Sequence, residues 1–185
     1  MKLIENIKNA LGKRKIDKIL QSNKRRLKVV NYSNAKSIGV IYPVTTTDYQ
    51  YFINKFIDYL REEVGFKSIV SIGYCDTKKI PNFIINQSIK YQYFTKSDLN
   101  SNNFGISKEV KDFIKNDFEI LIDFSRDNIN PIKHIIASSK SGLKIGRHSK
   151  ENEKYFDFMV EMEKTAPVSQ FINQVNTFLK QVKPN

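Results

Sequence analysis

The sequence has no tryptophan and a single cysteine, Cys75, among its 185 residues. One thiol excludes an internal disulfide framework, so the fold must rest on its core. The expectation is a reducing compartment with Cys75 as a small buried hydrophobe. No apolar run approaches the ~20 residues needed to span a bilayer. The opening stretch "MKLIENIKNALGKRK" carries Glu5 and Lys8 where a signal peptide needs an unbroken apolar centre, so a cleaved leader is not expected. The reading is a cytoplasmic protein, peripheral at most to the inner membrane. Only two histidines occur, His134 and His148. With one cysteine beside them they give no zinc-ligand spacing, and no metal is expected. A G-x-x-x-x-G-K-[ST] phosphate loop is absent, and so is G-x-G-x-x-G after the first strand. No cofactor is predicted. Without a G-x-S-x-G elbow, a Ser-His-Asp triad has no support either.

What is present is positive charge, and it is unevenly spread. The formal net charge is +12. Residues 1–36 hold eleven Lys/Arg against Glu5 and Asp17, a net of +9, leaving +3 for the remainder. The expected organisation is a basic helical arm over residues 1–33 and a single α/β domain over 36–183. On a helical wheel Leu3, Ile4, Ile7 and Leu11 form one apolar stripe, whereas Ile16, Ile19, Leu20 and Leu27 lie on nearly the opposite side. A break near Gly12 would resolve that conflict. Arg14, Lys15, Lys18 and Arg25 then share the face away from Ile16 and Leu20. With Lys24 and Arg26 they form a candidate anion-binding set for nucleic acid, a ribosome or acidic lipid. The acidic segment with Glu151, Glu153, Asp157, Glu161 and Glu163 is an internal alternative partner. The arm lacks the aromatics that stack on bases.

Beyond the arm, strands and helices alternate. "KSIGVIY" (36–42) reads as a strand closed by Pro43. Thr47 with Gln50 reads as a capping box. Tyr49, Phe52, Ile53, Phe56, Leu60 and Val64 follow at helical spacing and stop at Gly65. "FKSIVSIGYC" is the next strand, and "IKYQYFT" (89–95) another. Ser107 can cap a helix through Val110, Phe113 and Ile114. "FEILIDF" (118–124) is apolar enough for a central strand. Pro131 opens a helix to about Lys140, "SGLKIG" forms a strand ending at Gly146, and "YFDFMVEM" (155–162) forms another. Pro167 enters a last helix whose Val168, Phe171, Ile172, Val175, Phe178 and Leu179 face one way. The pattern is α/β: a Rossmann-like three-layer sandwich with a mostly parallel sheet.

In such sheets ligands sit beyond the carboxyl ends of the strands. Asp123, Ser125 and Arg126 should lie there, as should Asp48. If their strands are neighbours, Asp48 and Asp123 can face one crevice. A carboxylate there whose pKa is raised by burial would serve as general base for a hydroxyl nucleophile, and Asp48, Asp123 and Ser125 are the candidate catalytic residues. The plainer role for Asp123 and Asp127 is to cap turns before the helix at Pro131. Arg147 and Lys150 in "GRHSK" can bind a phosphate.

"FEILIDFS…HIIASSKSGLKIG" (118–146) resembles a segment in the N-terminal half of heptosyltransferase-like glycosyltransferases. That resemblance implies Asp48 as counterpart of a catalytic acid, with Thr47 where the family has glycine, and a second domain for the sugar nucleotide beyond this length. A wider resemblance takes in the basic arm, "KSIGVIY", Asn103-Phe104-Gly105, "LIDFS" and "KIG". Together they are similar to an uncharacterised family of small bacterial cytoplasmic proteins. It implies this layout and no activity. The expectation is therefore a binding domain with no catalysis, and the alternative is a glycosyltransferase-like enzyme or its remnant.

Overall fold

Among the described residues six parallel strands form one sheet, in the order β3-β2-β1-β4-β5-β6. The computed structural model describes residues 2–85 and 91–184, with side chains from residue 8 onward except that of Ile85. The strands are β1 (Ser37–Val44), β2 (Ser68–Cys75), β3 (Gln92–Thr95), β4 (Ile120–Asp123), β5 (Leu143–Arg147) and β6 (Phe158–Val160). The helices are α1 (Lys2–Ser22), α2 (Thr47–Glu62), α3 (Asn82–Ile85), α4 (Lys108–Lys115), α5 (Asn130–Ser138) and α6 (Val168–Gln181). Of the strand expected over 89–95, residues 89 and 90 lie outside the described residues. The chain is a Rossmann-like α/β sandwich whose sheet is parallel throughout.

Two apolar layers hold it together. On one face Ile53, Phe56, Ile57 and Leu60 of α2 and Phe171, Val175 and Leu179 of α6 pack on Val40, Ile122 and Ile145. On the other, Ile132, Ile135 and Ile136 of α5, with Val110 and Phe113 of α4, cover Ile41, Ile72 and Leu121. Alternate residues of a strand point to opposite faces, so strands that read as unbroken apolar runs feed both layers.

Several local expectations are corrected. Pro43 does not close the first strand, which runs on to Val44. Ile41 gives its carbonyl to Phe124, and Pro43, two residues on, faces the same side. The β1–β4 ladder ends at Ile41 and Asp123, so the amide hydrogen that proline lacks would have no partner there. The α2 cap is Thr46, one residue earlier than expected. Its hydroxyl accepts from the Tyr49 amide at 3.2 Å. Gln50 is buried instead and donates to the Tyr42 hydroxyl. Phe52 stays exposed.

The largest correction concerns the basic arm. It is not two pieces hinged at Gly12 but one helix, and it lies along α5. Ile16 is fully buried there, with Ile19 and Leu20 against the same cluster. Leu11 and Leu27 remain exposed, while the side chains of Leu3, Ile4 and Ile7 lie outside those described. The helix thus buries the stripe of Ile16, Ile19 and Leu20. Gly12 serves close approach rather than a break. A Cβ there would stand 2.7 Å from the Asn102 carbonyl oxygen. In an isolated helix Gly12→Ala would gain ~1 kcal/mol. Here the clash is with backbone, which cannot rotate away, and overpacking of this kind costs ~1–3 kcal/mol. A lower urea midpoint for Gly12→Ala is the expected result, and a higher one would contradict the close approach.

Candidate functional site

The strand order reverses between β1 and β4, so their carboxyl ends open the crevice where parallel sheets hold ligands. A cavity of about 920 Å³ lies on the α5 side of that point. Val44 at the end of β1 and Thr45 after it, Asp76 after β2, and Lys96 after β3 form its floor and walls. Lys8 and Lys13 of α1 and the start of α5 at Asn130 close over it. Asparagines fix the helix to the rim. Asn103 donates to the Asn9 side chain at 2.7 Å and Asn130 to the Asn9 carbonyl at 3.0 Å. Asn103 holds a left-handed backbone, φ 59°, a conformation asparagine tolerates better than most residues. The neighbouring Phe104 stacks on His134 with ring centroids 4.3 Å apart. Burial pulls the His134 imidazole down to a pKa of about 4, so it is neutral at pH 7.

Two of the crevice cations are already paired. Lys13 meets Glu151 at 2.7 Å and Lys96 meets Asp76 at 3.1 Å.

The acids picked from sequence do sit at this edge of the sheet but do not share the cavity. Asp48 is exposed in the first turn of α2. Asp123, at the end of β4, is 2% exposed. One of its oxygens accepts from the Ser125 amide at 2.8 Å and the other from the Lys133 ammonium at 3.3 Å. Neither acid lines the large cavity. Ser125 is buried, and its hydroxyl has no hydrogen-bond partner among the described residues. Cys75 is buried, and burial raises its thiol to about 11. It is therefore protonated and a poor nucleophile. Among the described residues no group of three His, Cys, Asp or Glu is placed to hold a metal ion.

The six basic residues separate into two kinds. Arg14, Lys15 and Lys18 are exposed on α1, and Lys24 and Arg26 are exposed beyond its end. Arg25 turns the other way. It donates to the carbonyls of Ser141 and Gly142 at 3.2 and 3.0 Å and pairs with Asp157. The wheel that grouped Arg25 with Lys18 assumed a helix, but the helix stops at Ser22, where Asn23 caps onto Ala137 and Ser139. Past that point Lys24 and Arg26 are exposed while Arg25 is half-buried. Lys24, Arg26 and Lys28 rim a shallow depression of about 240 Å³ with Lys140, Asp117 and Glu119. The acidic segment also takes part, through Lys13 to Glu151 and Arg25 to Asp157, and Lys154 returns the contact to Asp17.

Residues 8–182 match DUF6913, a family of unknown function. The chain belongs to that family. A search of curated proteins gives no match. The DUF6913 match begins inside α1 and runs through the sheet to the end of α6. No described helix of this DUF6913 chain is long and apolar enough to cross a membrane. Sequence reasoning missed Lys133 and Lys144, both buried. The only signal for either was a lysine among isoleucines at core spacing.

Proposed function

We propose that this DUF6913 protein is a non-catalytic domain that binds the phosphate backbone of nucleic acid along the outer side of α1 and the segment after it. One observation carries this reading. Arg14, Lys15, Lys18, Lys24 and Arg26 are all exposed, and none makes a salt bridge among the described residues. The ion pairs of this region involve other cations. Arg25 and Asn23 tether the segment to residues 137–142, so Lys24 and Arg26 are presented on a fixed backbone. A pre-ordered cationic strip loses less entropy on binding than a flexible tail would.

Nucleic acid is favoured over acidic lipid because, on the part of α1 that carries Arg14, Lys15 and Lys18, the apolar residues Ile16, Ile19 and Leu20 are committed to α5. An interfacial helix needs that apolar face for the bilayer. The strip carries no aromatic residue, so contact is with phosphates rather than stacked bases.

The test is a salt titration of oligonucleotide binding by fluorescence anisotropy. With about five phosphate contacts, affinity should fall roughly 100-fold on single strands and 500-fold on duplex between about 50 and about 200 mM salt. Charge reversal at Lys18, Lys24 and Arg26 together should flatten that slope. Binding to anionic vesicles but not to oligonucleotides would transfer the strip to membranes. Binding that ignores both salt and the triple reversal would end the proposal.

A further inference from the structure

A second basic constellation lies at the other helical layer, where β4, β5 and α6 meet, and it is separate from the strip on α1. Arg147 is the last residue of β5 and is only 7% exposed. Its guanidinium lies over the Phe171 ring, 5.4 Å from the centroid. Its Nη2 reaches the Ala166 carbonyl at 3.4 Å, long for such a bond, and its Nε has no partner among the described residues. Arg126, in the loop after β4, donates to the same carbonyl at 3.0 Å. Two guanidiniums therefore converge on one neutral oxygen. Asp123 is committed to Lys133. Asp127 is exposed, and both it and Asp123 act on Arg147 only as nearby charges. Ser125 directly precedes Arg126 in the chain and is 4% exposed, with its hydroxyl unpartnered among the described residues.

Ala166 leads directly into α6, a helix of fourteen residues. Its N-cap is Pro167, which has no side chain to cap the helix. The first-turn amides of any helix lack intrahelical acceptors and carry partial positive charge. A nearly buried guanidinium with one long hydrogen bond, a buried hydroxyl without one, a second guanidinium and an uncapped helix start are all donors. An oxyanion is the partner they share.

We propose that Arg126, Arg147, Ser125 and the amino end of α6 form a binding site for a phosphate group. Donors come from three elements, which suits the three free oxygens of a phosphate better than a planar carboxylate. The charge of a phosphate monoester, about −1.5 to −2 at pH 7, matches two guanidiniums. The Tyr49 hydroxyl at the start of α2 is not available to the group, because it donates to the Phe124 carbonyl at 2.6 Å.

The experiment is a titration of the full chain with inorganic phosphate, followed by phosphorus NMR at constant ionic strength. Saturable binding is expected, and a tenfold excess of acetate should not displace it. Arg126→Gln changes an exposed side chain and should leave the fold intact. It should weaken phosphate binding about tenfold or more, the usual effect of losing a charge-assisted hydrogen bond. Ser125→Ala should weaken it less. Reversal of Lys18, Lys24 and Arg26 should leave phosphate binding unchanged, which keeps this site distinguishable from the nucleic-acid strip. A second arm uses ribose 5-phosphate. Tighter binding than phosphate assigns the site to the end group of a larger ligand, and equal binding assigns it to the free ion. Unsaturable binding, displacement by acetate, an Arg126→Gln variant that titrates like the parent, or loss in the triple reversal would each overturn the site.

Discussion

Asp123→Ala is expected to destabilise the protein by ~3–5 kcal/mol, the usual cost of removing one partner of a buried ion pair. Lys133 is 3% exposed, and its ammonium lies 4.5 Å from the Phe156 ring centroid and 5.2 Å from that of Tyr155. Burial already pulls it below the usual lysine range, and Asp123 is the main influence pulling the other way. Without the carboxylate, the lysine must lose its proton or open the α5 layer to water. Domains of this size have ~5–15 kcal/mol of stability in all, so the urea midpoint should drop sharply. Asp123→Ala with Lys133→Met should recover most of the loss, because replacing a whole buried pair by apolar groups is often neutral. A single-variant loss under about 1 kcal/mol, or a double variant no better than the single, would show that the pair is not what holds Asp123. The same comparison bears on chemistry: a structural aspartate is rescued by removing its lysine, and a general base is not.

The strand around Asp123 shows how far sequence carries. "FEILIDF" reads as a central strand because Ile120, Leu121 and Ile122 form an unbroken apolar run, with Glu119 and Asp123 at its two ends, that suits burial on both faces, and β4 does lie between β1 and β5. Ser107 before Val110 and Phe113 is a cap by its own chemistry, and it accepts from the Val110 amide. Such features are local, so a sequence displays them. The fate of α1 is not local. Its two apolar stripes look contradictory until α5 supplies the surface that takes one of them, and Gly12 looks like a breaker until the Asn102 carbonyl lies against it. Long-range pairs such as Lys133 with Asp123, or Arg25 with Asp157, carry no signal in spacing at all. Asp48 and Asp123 illustrate the same limit at the candidate site. Their strands are neighbours, as the catalytic reading required, yet one side chain faces solvent and the other faces a lysine on α5. Strand adjacency follows from topology. Side-chain convergence depends on which face each residue takes, and one position along the chain reverses it.

Arg25 also links the outer basic strip to a titrating group beneath it. Lys144 on β5 is fully buried, and its ammonium donates to the Ile136 carbonyl at 2.6 Å. That carbonyl belongs to the last turn of α5, where orphan carbonyls and the helix dipole both favour a cation. Burial nevertheless lowers its pKa, Arg25 adds to the fall and Asp157 opposes both, leaving it at about 7 against the ordinary 10.5. Between the folded pKa near 7 and the unfolded value near 10.5 the unfolded chain binds the extra proton, so stability must rise with pH across that window. Below pH 7 the lysine is charged in both states and the full penalty, on the order of a few kcal/mol, is present. Above pH 10.5 the lysine is neutral in both, and the penalty is gone. Lys144→Met should therefore be more stable than the parent at pH 6.5, less the ~1 kcal/mol lost with the Ile136 hydrogen bond. The two should converge by pH 9.5, as read from urea midpoints. Parallel pH profiles for the two proteins would mean that Lys144 keeps its proton throughout. Convergence would instead place the segment bearing Lys24 and Arg26 over a lysine that loses its charge near neutral pH, so the firmness of the anion-facing strip would itself increase with pH.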